Sequence, residues 1–522
     1  MRRRWTIVAV PAMLACFSGG WILQGRLAGH SDPYQQARLF EDVLVHVRDF
    51  HVDSLPESEL YLRATRGLLK ELHDPYAALL QGKDLQRHLE RTTGDYGGLG
   101  LQVDARNGWI TVVAPMQGSP AERAGIRTGD QLIEVNGFSA AGWTLDRAVE
   151  AMRGAIGTRV DIAVKREDLP TPLHFSLVRG RIHQPAVVAG VLLRDGVGYL
   201  GMTIVRENSA DELQREVERL VALGMRSLVL DLRSNPGGLR DEAVQAADLF
   251  LDPGQEILES RGRAPGDNHR WNDLSPQRWR ALPVVVLVNG GTASAAEIIA
   301  GALQDHDRAL LAGDTTYGKG IVQTVFPLTS ETALRMTTAR WYTPSGRSIQ
   351  DAALDSAMGS AHALAAATFR SDGGRPLNAA GGLVPDVLLD PDTLTAGEMA
   401  LIQALQSHVV VFRDVLAAYA LELRRGSAVG SESFQVTPAM RNEIRRRLSE
   451  RGVTLADGVV KGAGTLLDDE IGYEIARYVF GPAAERRRRI ERDHQIQRAV
   501  DLVRGTSSPQ QLLGMLPQSA AH

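Results

Sequence analysis

The stretch VVVLVNGGTASAAEIIAGALQDHDRALLAGDTTYGKGIVQTV, residues 284–325, is the one around which the chain is organised. Its β-branched run Val284 to Val288, bounded by Pro283 and by Asn289-Gly290-Gly291, predicts a buried strand that ends in a tight turn. A helix is expected at once. Thr292 or Ser294 can cap it, Glu297 stands three residues after Ser294 as in a capping box, and Ile298, Ile299, Ala302 and Leu303 give it an apolar face. Ser294 therefore belongs at a strand-to-helix corner, where N–H groups without intrahelical partners can face a developing oxyanion. A second apolar run, Ala309 to Ala312, leads to Gly318-Lys319-Gly320, and Lys319 is the candidate partner of Ser294.

A serine hydroxyl is a weak nucleophile, and a neutral lysine amine within hydrogen-bond reach can take its proton. Lysine ordinarily titrates near ~10.4, so bringing it to neutrality at working pH costs roughly 4 kcal/mol, which apolar surroundings supply by desolvation. Ile321, Val322 and Val325 suit such a pocket. Gln323 lies four residues beyond Lys319, on the same side in a helix or a strand, where its amide can orient the amine without adding charge.

The segment resembles the active-site segment of the carboxyl-terminal processing, or tail-specific, proteases. Their pattern Ser-Ala-Ser-Ala-Ser-Glu-Ile, Ala-Gly-Ala-Leu, Gly-Lys-Gly and Val-Gln is met by Thr292-Ala293-Ser294-Ala295-Ala296-Glu297-Ile298 and the residues after it. The resemblance implies Ser294 as nucleophile, Lys319 as base and Gln323 as its support. The departures, Thr292 and Ala296, flank the nucleophile without replacing it. For a lone Ser or Lys the plain reading is a glycine-rich turn, a capping serine and an exposed lysine.

The chain has 522 residues, 44% hydrophobic and 23% charged, with a net charge of −4, which suggests about three domains of soluble globular protein and argues against a nucleic-acid partner. Cys16 is the one cysteine, which excludes an internal disulfide and a CxxC zinc or redox site. Arg2, Arg3 and Arg4 precede an apolar stretch at 5–23, so residues 1–30 read as a signal anchor or signal peptide. An uncleaved anchor is favoured because no clear small-x-small site follows; Leu27-Ala28-Gly29 is a weak one, and Met13-Leu14-Ala15-Cys16 faintly resembles a lipoprotein site.

Residues 31–91 read as helical, with Leu39, Phe40, Val43, Leu44 and Val47 in one stripe and Leu60, Ala64, Leu68 and Leu72 in another. The stretch Leu72 to Leu80 resembles the leader that precedes the binding domain in this family, a packing or dimer-forming element there, which leaves a homo-oligomer open; the plain alternative is a helical hairpin packed on the core. His46 and His51 do not share a helix face, so they make no metal site.

Residues 92–180 describe a compact β-rich module. Tyr96-Gly97-Gly98-Leu99-Gly100-Leu101-Gln102-Val103 joins a glycine loop to a strand, and Ser119-Pro120-Ala121-Glu122-Arg123-Ala124-Gly125-Ile126 leads to Gly129-Asp130-Gln131-Leu132-Ile133-Glu134-Val135-Asn136-Gly137. This resembles a PDZ domain. Such a glycine loop can hold a terminal carboxylate while the adjoining strand pairs with the peptide behind it. With residues 144–152 as the groove helix, Leu99, Leu101, Ala148 and Met152 are placed to line a pocket for an apolar terminal side chain. The plain alternative is a module used only for packing.

Residues 181–390 carry the rest of the resemblance: Gly198-Tyr199-Leu200-Gly201, a helix at 209–223, a strand at 227–232 ending in Arg233-Ser234-Asn235-Pro236-Gly237-Gly238, then Thr338-Ala339-Arg340-Trp341-Tyr342 and Gly382-Leu383-Val384-Pro385-Asp386-Val387. It implies that an N–H of Gly237 or Gly238 joins that of Ala295 in an oxyanion hole. No phosphate loop is indicated, since no Gly-Lys-Ser/Thr follows at the required spacing. Residues 351–380, rich in Ala, Ser and Gly, read as a mobile surface loop or lid. Residues 391–522 form a helical C-terminal extension, with Arg486 to Arg489 expected as a solvated helix face and contact with anionic lipid headgroups as the sharper option.

The resemblance thus implies an α/β fold: a crotonase-like protease core with an inserted PDZ domain and flanking α-helical segments. The expected function is an extracytoplasmic serine endopeptidase acting on protein or peptide substrates with apolar C-termini, with no metal or organic cofactor implied. One rival is a catalytically inactive, membrane-tethered PDZ scaffold. The other is a Ser-His-Asp hydrolase using His306, although no Gly-x-Ser-x-Gly elbow surrounds Ser294.

Overall fold

A strand of five consecutive apolar residues is stable only where both faces of its sheet are covered. The computed structural model describes residues 33–352, 369–378, 381–390 and 393–516, so the apolar stretch at 5–23 lies outside the described residues. The chain divides into a smaller unit, residues up to 79 with Leu334–Met336, and a larger unit holding the remainder.

In the smaller unit, α1 (Pro33–Phe50) buries none of its side chains, while α2 (Glu57–Glu71) buries Leu60 and Leu69. Of the stripe expected on α2 only Leu60 is buried, since Leu68 and Leu72 are exposed. In the larger unit, α3 (Lys83–Thr93) leads into the β-rich module. Residues Asp95–Gly98 pair with Gly180–His183, so the chain enters and leaves the module through a two-stranded neck. Within it run β1 (Leu101–Arg106), β2 (Trp109–Pro115), β3 (Gln131–Val135), α4 (Leu145–Met152), β4 (Arg159–Lys165) and β5 (Leu173–Val178), the strands pairing in chain order and antiparallel. Thr144 caps α4 by accepting from the Arg147 N–H.

Beyond the neck, β6 (Val187–Leu192) and β7 (Val197–Met202) precede α5 (Ser209–Ala222), β8 (Ser227–Asp231) and α6 (Arg240–Asp248). Next come β9 (Glu256–Gly262), β10 (His269–Asn272), β11 (Val284–Val288), α7 (Ala295–Asp305), β12 (Leu310–Gly313), β13 (Ile321–Thr329), β14 (Thr332–Tyr342) and β15 (Val387–Leu388). The central sheet runs β6-β7-β8-β11-β12-β15 and is parallel from β7 onward.

Val284, Val286 and Val288 pack with Leu213, Val217 and Leu220 of α5 and with Ile298 and Leu303 of α7. Val285 and Leu287 face the other way, onto Ile496, Ala499, Val500 and Val503. All five β11 residues are fully buried, each contributing roughly 1.5–3 kcal/mol. The second cover comes from the far end of the chain, where α8 (Ala396–Leu405), α9 (Val409–Arg425), α10 (Leu466–Val479), α11 (Pro482–Arg492) and α12 (His494–Val503) follow. Helices α8 to α10 build a core of their own that takes in Val113 of the module. Beside it the buried Arg106 lies between Asp104 at 2.6 Å and Glu474 at 3.4 Å. Among the described residues the run Ala396–Arg425 is long and apolar enough to cross a bilayer, and Leu401, Leu405, Phe412, Val415 and Leu416 of that run are buried in this core.

One sequence expectation is corrected in part. The arginine run is a solvated face only in part: Arg487 and Arg489 are exposed, but Arg488 stacks on Phe434 at 4.3 Å, Arg489 lies over Tyr473 at 4.0 Å, and Arg487 pairs with Glu432 at 2.6 Å. A guanidinium plane finds an aromatic face as readily as water. Of the segment expected as a loop or lid, residues 353–368 and 379–380 lie outside the described residues, and the rest includes a hairpin of Phe369–Arg370 with Pro376–Leu377, fastened by Arg375 to Asp307 and Asp386.

Candidate active site

Ser294 stands where β11 gives way to α7, at φ 55° and ψ −117°. A side chain at positive φ costs of order 1–3 kcal/mol unless its surroundings over-determine it. They do here. The Ser294 N–H donates to Glu297 Oε2 at 2.6 Å, the Thr292 hydroxyl donates to Leu232 O at 2.8 Å, and the Ala293 N–H donates to Asn235 O at 2.9 Å.

Glu297 is wholly buried and does more than cap. It also accepts the Thr316 hydroxyl at 2.6 Å, the Gly318 N–H at 2.8 Å and the Lys319 N–H at 3.0 Å. One carboxylate thus fastens the serine corner and the lysine loop together. Burial pushes its carboxyl up, against the opposing pull of these donors. The capping box was legible in sequence; the reach to residues 316–319 carries no local signal.

Lys319 is half-buried and its Nζ donates to Gln323 Oε1 at 2.9 Å, the pairing that the four-residue spacing suggested. Trp341 Nε1 donates to Lys319 O at 3.1 Å and fixes the backbone there. Val322 and Thr324, on either side of Gln323, line a cavity of about 270 Å³ with Arg240, Asp267, His269 and Trp271.

Gly237 lies directly beneath the nucleophile. A Cβ there would meet Ala293 O at 2.5 Å, Ala295 N at 2.7 Å and Ser294 Cβ at 2.9 Å, and its φ is +84°. Only glycine fits. The Gly237 N–H donates to Asn235 Oδ1 at 2.9 Å, while its carbonyl accepts from Val205 N at 3.0 Å. Asn235 is itself buried and donates to Met202 O at 2.8 Å.

His306 caps the other end of α7, about 18 Å from Ser294 at 1.5 Å per residue. Its Nδ1 pairs with Asp372 at 2.7 Å and its Nε2 with Glu256 O at 2.7 Å, so both nitrogens are engaged away from the serine.

In the module, Leu99, Ala148 and Met152 join one buried cluster with Leu101 packed against it. Gly97 and Gly98 belong to the neck, and the Gly154 N–H just past α4 donates to Gly97 O at 3.1 Å, which brings the glycine loop to that helix. Gly100, at φ +71°, is the turn from which β1 departs.

The loop after β8 contains a cluster that sequence reading missed. Arg233 NH2 donates to Asp231 Oδ2 at 2.7 Å and to Asp493 Oδ2 at 3.0 Å, and its NH1 to Gln495 Oε1 at 2.8 Å. Nothing local in the sequence points from residue 233 to residue 493.

The sequence model of peptidase family S41 matches residues 196–357, the part that contains Ser294, Lys319 and Gln323, and that of the PDZ domain matches residues 111–166. A carboxy-terminal-processing protease of Bartonella bacilliformis is 39% identical over 325 residues, 61% of this chain and 73% of that protein. The carboxy-terminal processing protease CtpA of Bacillus subtilis is 33% identical over 300 residues, 58% of this chain and 64% of its own. Among solved structures, a photosystem II D1 C-terminal processing protease aligns over 68% of this chain and 88% of its own at 27% identity, with a TM-score of 0.36. With the Bartonella protein matched across nearly three quarters of its length, the chain belongs to the carboxy-terminal processing proteases, PDZ-bearing serine proteases of peptidase family S41.

Proposed function

We propose that this chain is an extracytoplasmic serine endopeptidase that captures protein or peptide substrates by an apolar C-terminus and cleaves them with a Ser294–Lys319 dyad. The observation that supports the reading is the Glu297 carboxylate, which binds the backbone N–H groups of Ser294 and Lys319 at 2.6 and 3.0 Å and so ties the serine corner to the lysine loop. In this reading neutral Lys319 takes the Ser294 Oγ proton as Oγ attacks the scissile carbonyl. The ammonium returns that proton to the leaving amine, and the acyl-enzyme is then hydrolysed by a water that Lys319 activates. Gln323 orients the amine. Ala295 and Gly238 donate to the oxyanion, Gly238 rather than Gly237 because the Gly237 N–H is already given to Asn235.

The scissile segment lies in a crotonase-like core, residues 181–390, behind a PDZ domain, residues 92–180, whose loop Gly97, Gly98, Leu99, Gly100 and Leu101 takes the terminal carboxylate. Ala148 and Met152 meet the terminal side chain. Residues 1–30 serve as signal anchor or signal peptide, 31–91 as a packing or dimer-forming segment, and 391–522 as the C-terminal extension. Wild-type protein should cleave an unstructured substrate with an apolar C-terminus, and Ser294→Ala should not; equal turnover by both would remove the dyad.

A further inference from the structure

The turn 231–238 carries one of the two oxyanion donors assigned above, and the inference that follows rests on that assignment. Its conformation is unusual: Ser234 sits at φ 57°, which is costly for a residue with a side chain, and Gly237 at 84° and Gly238 at 149° hold dihedrals that glycine alone takes readily. Backbone of this kind persists where neighbours over-determine it. Several do so. The Ser234 N–H donates to Asn289 Oδ1 at 2.8 Å, Asn235 bonds Met202 and Gly237, and Gly238 bridges to Val205. The base of the turn is set differently, by a cluster of charge. Arg233 keeps only 16% of its side-chain surface exposed between Asp231 at 2.7 Å and Asp493 at 3.0 Å. Burial works against the guanidinium charge, and the two carboxylates more than offset it, holding the group above its usual range. Tyr199 closes the cluster by donating to Asp231 Oδ2 at 2.9 Å.

Asp493 and Gln495 come from the C-terminal extension, where they begin α12, and Gln495 Nε2 is itself held by Leu389 O at 3.2 Å. The same helix covers Val285 and Leu287 on the back of the sheet, so its position is fixed by apolar packing that owes nothing to the charges. We infer that the C-terminal extension is part of the catalytic apparatus: Asp493, assisted by Gln495, is a positioning residue that holds Arg233 and, through it, the turn presenting the oxyanion donor to Ser294. Without Asp493 the guanidinium keeps Asp231 and Gln495 but loses its charged outer partner, and the turn is freer to relax toward less strained dihedrals at Ser234. A misplacement of about 1 Å at a reacting centre costs on the order of 100-fold in rate.

The test uses the full chain. Asp493 also caps α12, accepting the Ile496 N–H at 2.8 Å. Asp493→Asn and Asp493→Ser both keep a capping oxygen, while neither offers a second oxygen to Arg233. Both variants should melt close to wild type and lower kcat about 10- to 100-fold with little change in KM. A peptide aldehyde, whose serine adduct places an oxyanion in the hole, should lose affinity in parallel with kcat, whereas the matching uncleaved peptide amide should bind as before. Asp493→Glu should recover part of the loss. Unchanged kcat and aldehyde affinity in a protein whose Ser294→Ala form is dead would overturn the positioning role alone. An activity loss confined to KM, or one that merely tracks unfolded protein, would overturn it as well. Turnover surviving in Ser294→Ala would instead bring down the dyad reading on which the inference rests.

Discussion

The turns after β8 and β11 stand side by side, at the ends of parallel strands paired from Leu228 with Val284 to Asp231 with Leu287. Both run through glycines into a helix, yet they are held by different means. The turn at Ser294 is fastened from within: Glu297, three residues on, takes its N–H and those of the lysine loop some twenty residues later. The turn at Gly237 is fastened partly from outside, by Asp493 and Gln495 of a helix 260 residues away. A reactive group can thus be held by a short local motif, whereas the backbone that serves it can depend on the last helices of the chain.

The largest effect belongs to the first turn. Lys319→Arg keeps charge and approximate length, but arginine does not deprotonate near neutrality. Turnover should fall about 10³-fold or more, the upper range for a lost general base; substantial residual activity would take lysine out of the mechanism. Next comes Glu297→Gln, which sets an amide NH2 against donors that now meet a carboxylate. Each donor left unpaired costs roughly 1–3 kcal/mol, so melting temperature should drop visibly and kcat by about 100-fold. A smaller kcat loss for Glu297→Gln than for Asp493→Ser would reverse the ranking of the two turns.

Glycines sharpen the same contrast. Gly237→Ala places a methyl within 2.5–2.9 Å of the nucleophile corner at positive φ, whereas at Gly290 the nearest atom to a new Cβ is Thr315 O at 3.8 Å. Gly237→Ala should cost roughly 1–3 kcal/mol and most of the activity, while Gly290→Ala should stay within about 0.5 kcal/mol. Comparable melting temperatures and rates for the two would show that the turns do not abut as described.

How much of this was legible follows from the range of each interaction. Strand β11, the cap at Ser294 and the Lys319–Gln323 pair rest on neighbours within four residues, and sequence reading found all of them. The module's glycine loop and helix were legible for the same reason, their turn and capping residues being local. The Arg233–Asp493 pair, the reach of Glu297 to Thr316 and the stacking of Arg488 on Phe434 were not. Each joins residues that only the folded sheet or helix core brings together. Charge patterning was only half a guide: Arg487 and Arg489 are exposed as a run of arginines suggests, yet the guanidinium groups of Arg487, Arg488 and Arg489 also find a carboxylate and aromatic rings at Glu432, Phe434 and Tyr473, elsewhere in the chain.

The smallest expected effect probes the far end of the helix that follows the second turn. Helix α6 ends at Asp248, whose Oδ1 accepts the Leu274 N–H at 2.9 Å, next to Asp273, which is only 2% exposed. Burial pushes the Asp273 carboxyl up to about 7, the neighbouring Asp248 and Asp252 carboxylates adding to the rise and the Ser275 N–H opposing it. In the unfolded chain an aspartate titrates near ~3.9. Between those values the unfolded chain has released this proton and the folded protein has kept it, so rising pH favours unfolding; above about 7 both states are ionised and the slope vanishes. The contribution of Asp273 is therefore present in acid and lost by neutrality. Asp273→Asn cannot ionise. The difference in melting temperature, wild type minus Asp273→Asn, should shrink by roughly 2–4 °C between pH 5 and pH 7.5 and then stay level, the shift that about 1 kcal/mol produces in a domain of 150–250 residues. A difference that does not change with pH would mean that Asp273 is ionised throughout. The end of α6 would then be held by hydrogen bonds alone, and the second turn would owe its stability to Asp493 and the apolar packing of α12 without help from this acid pair.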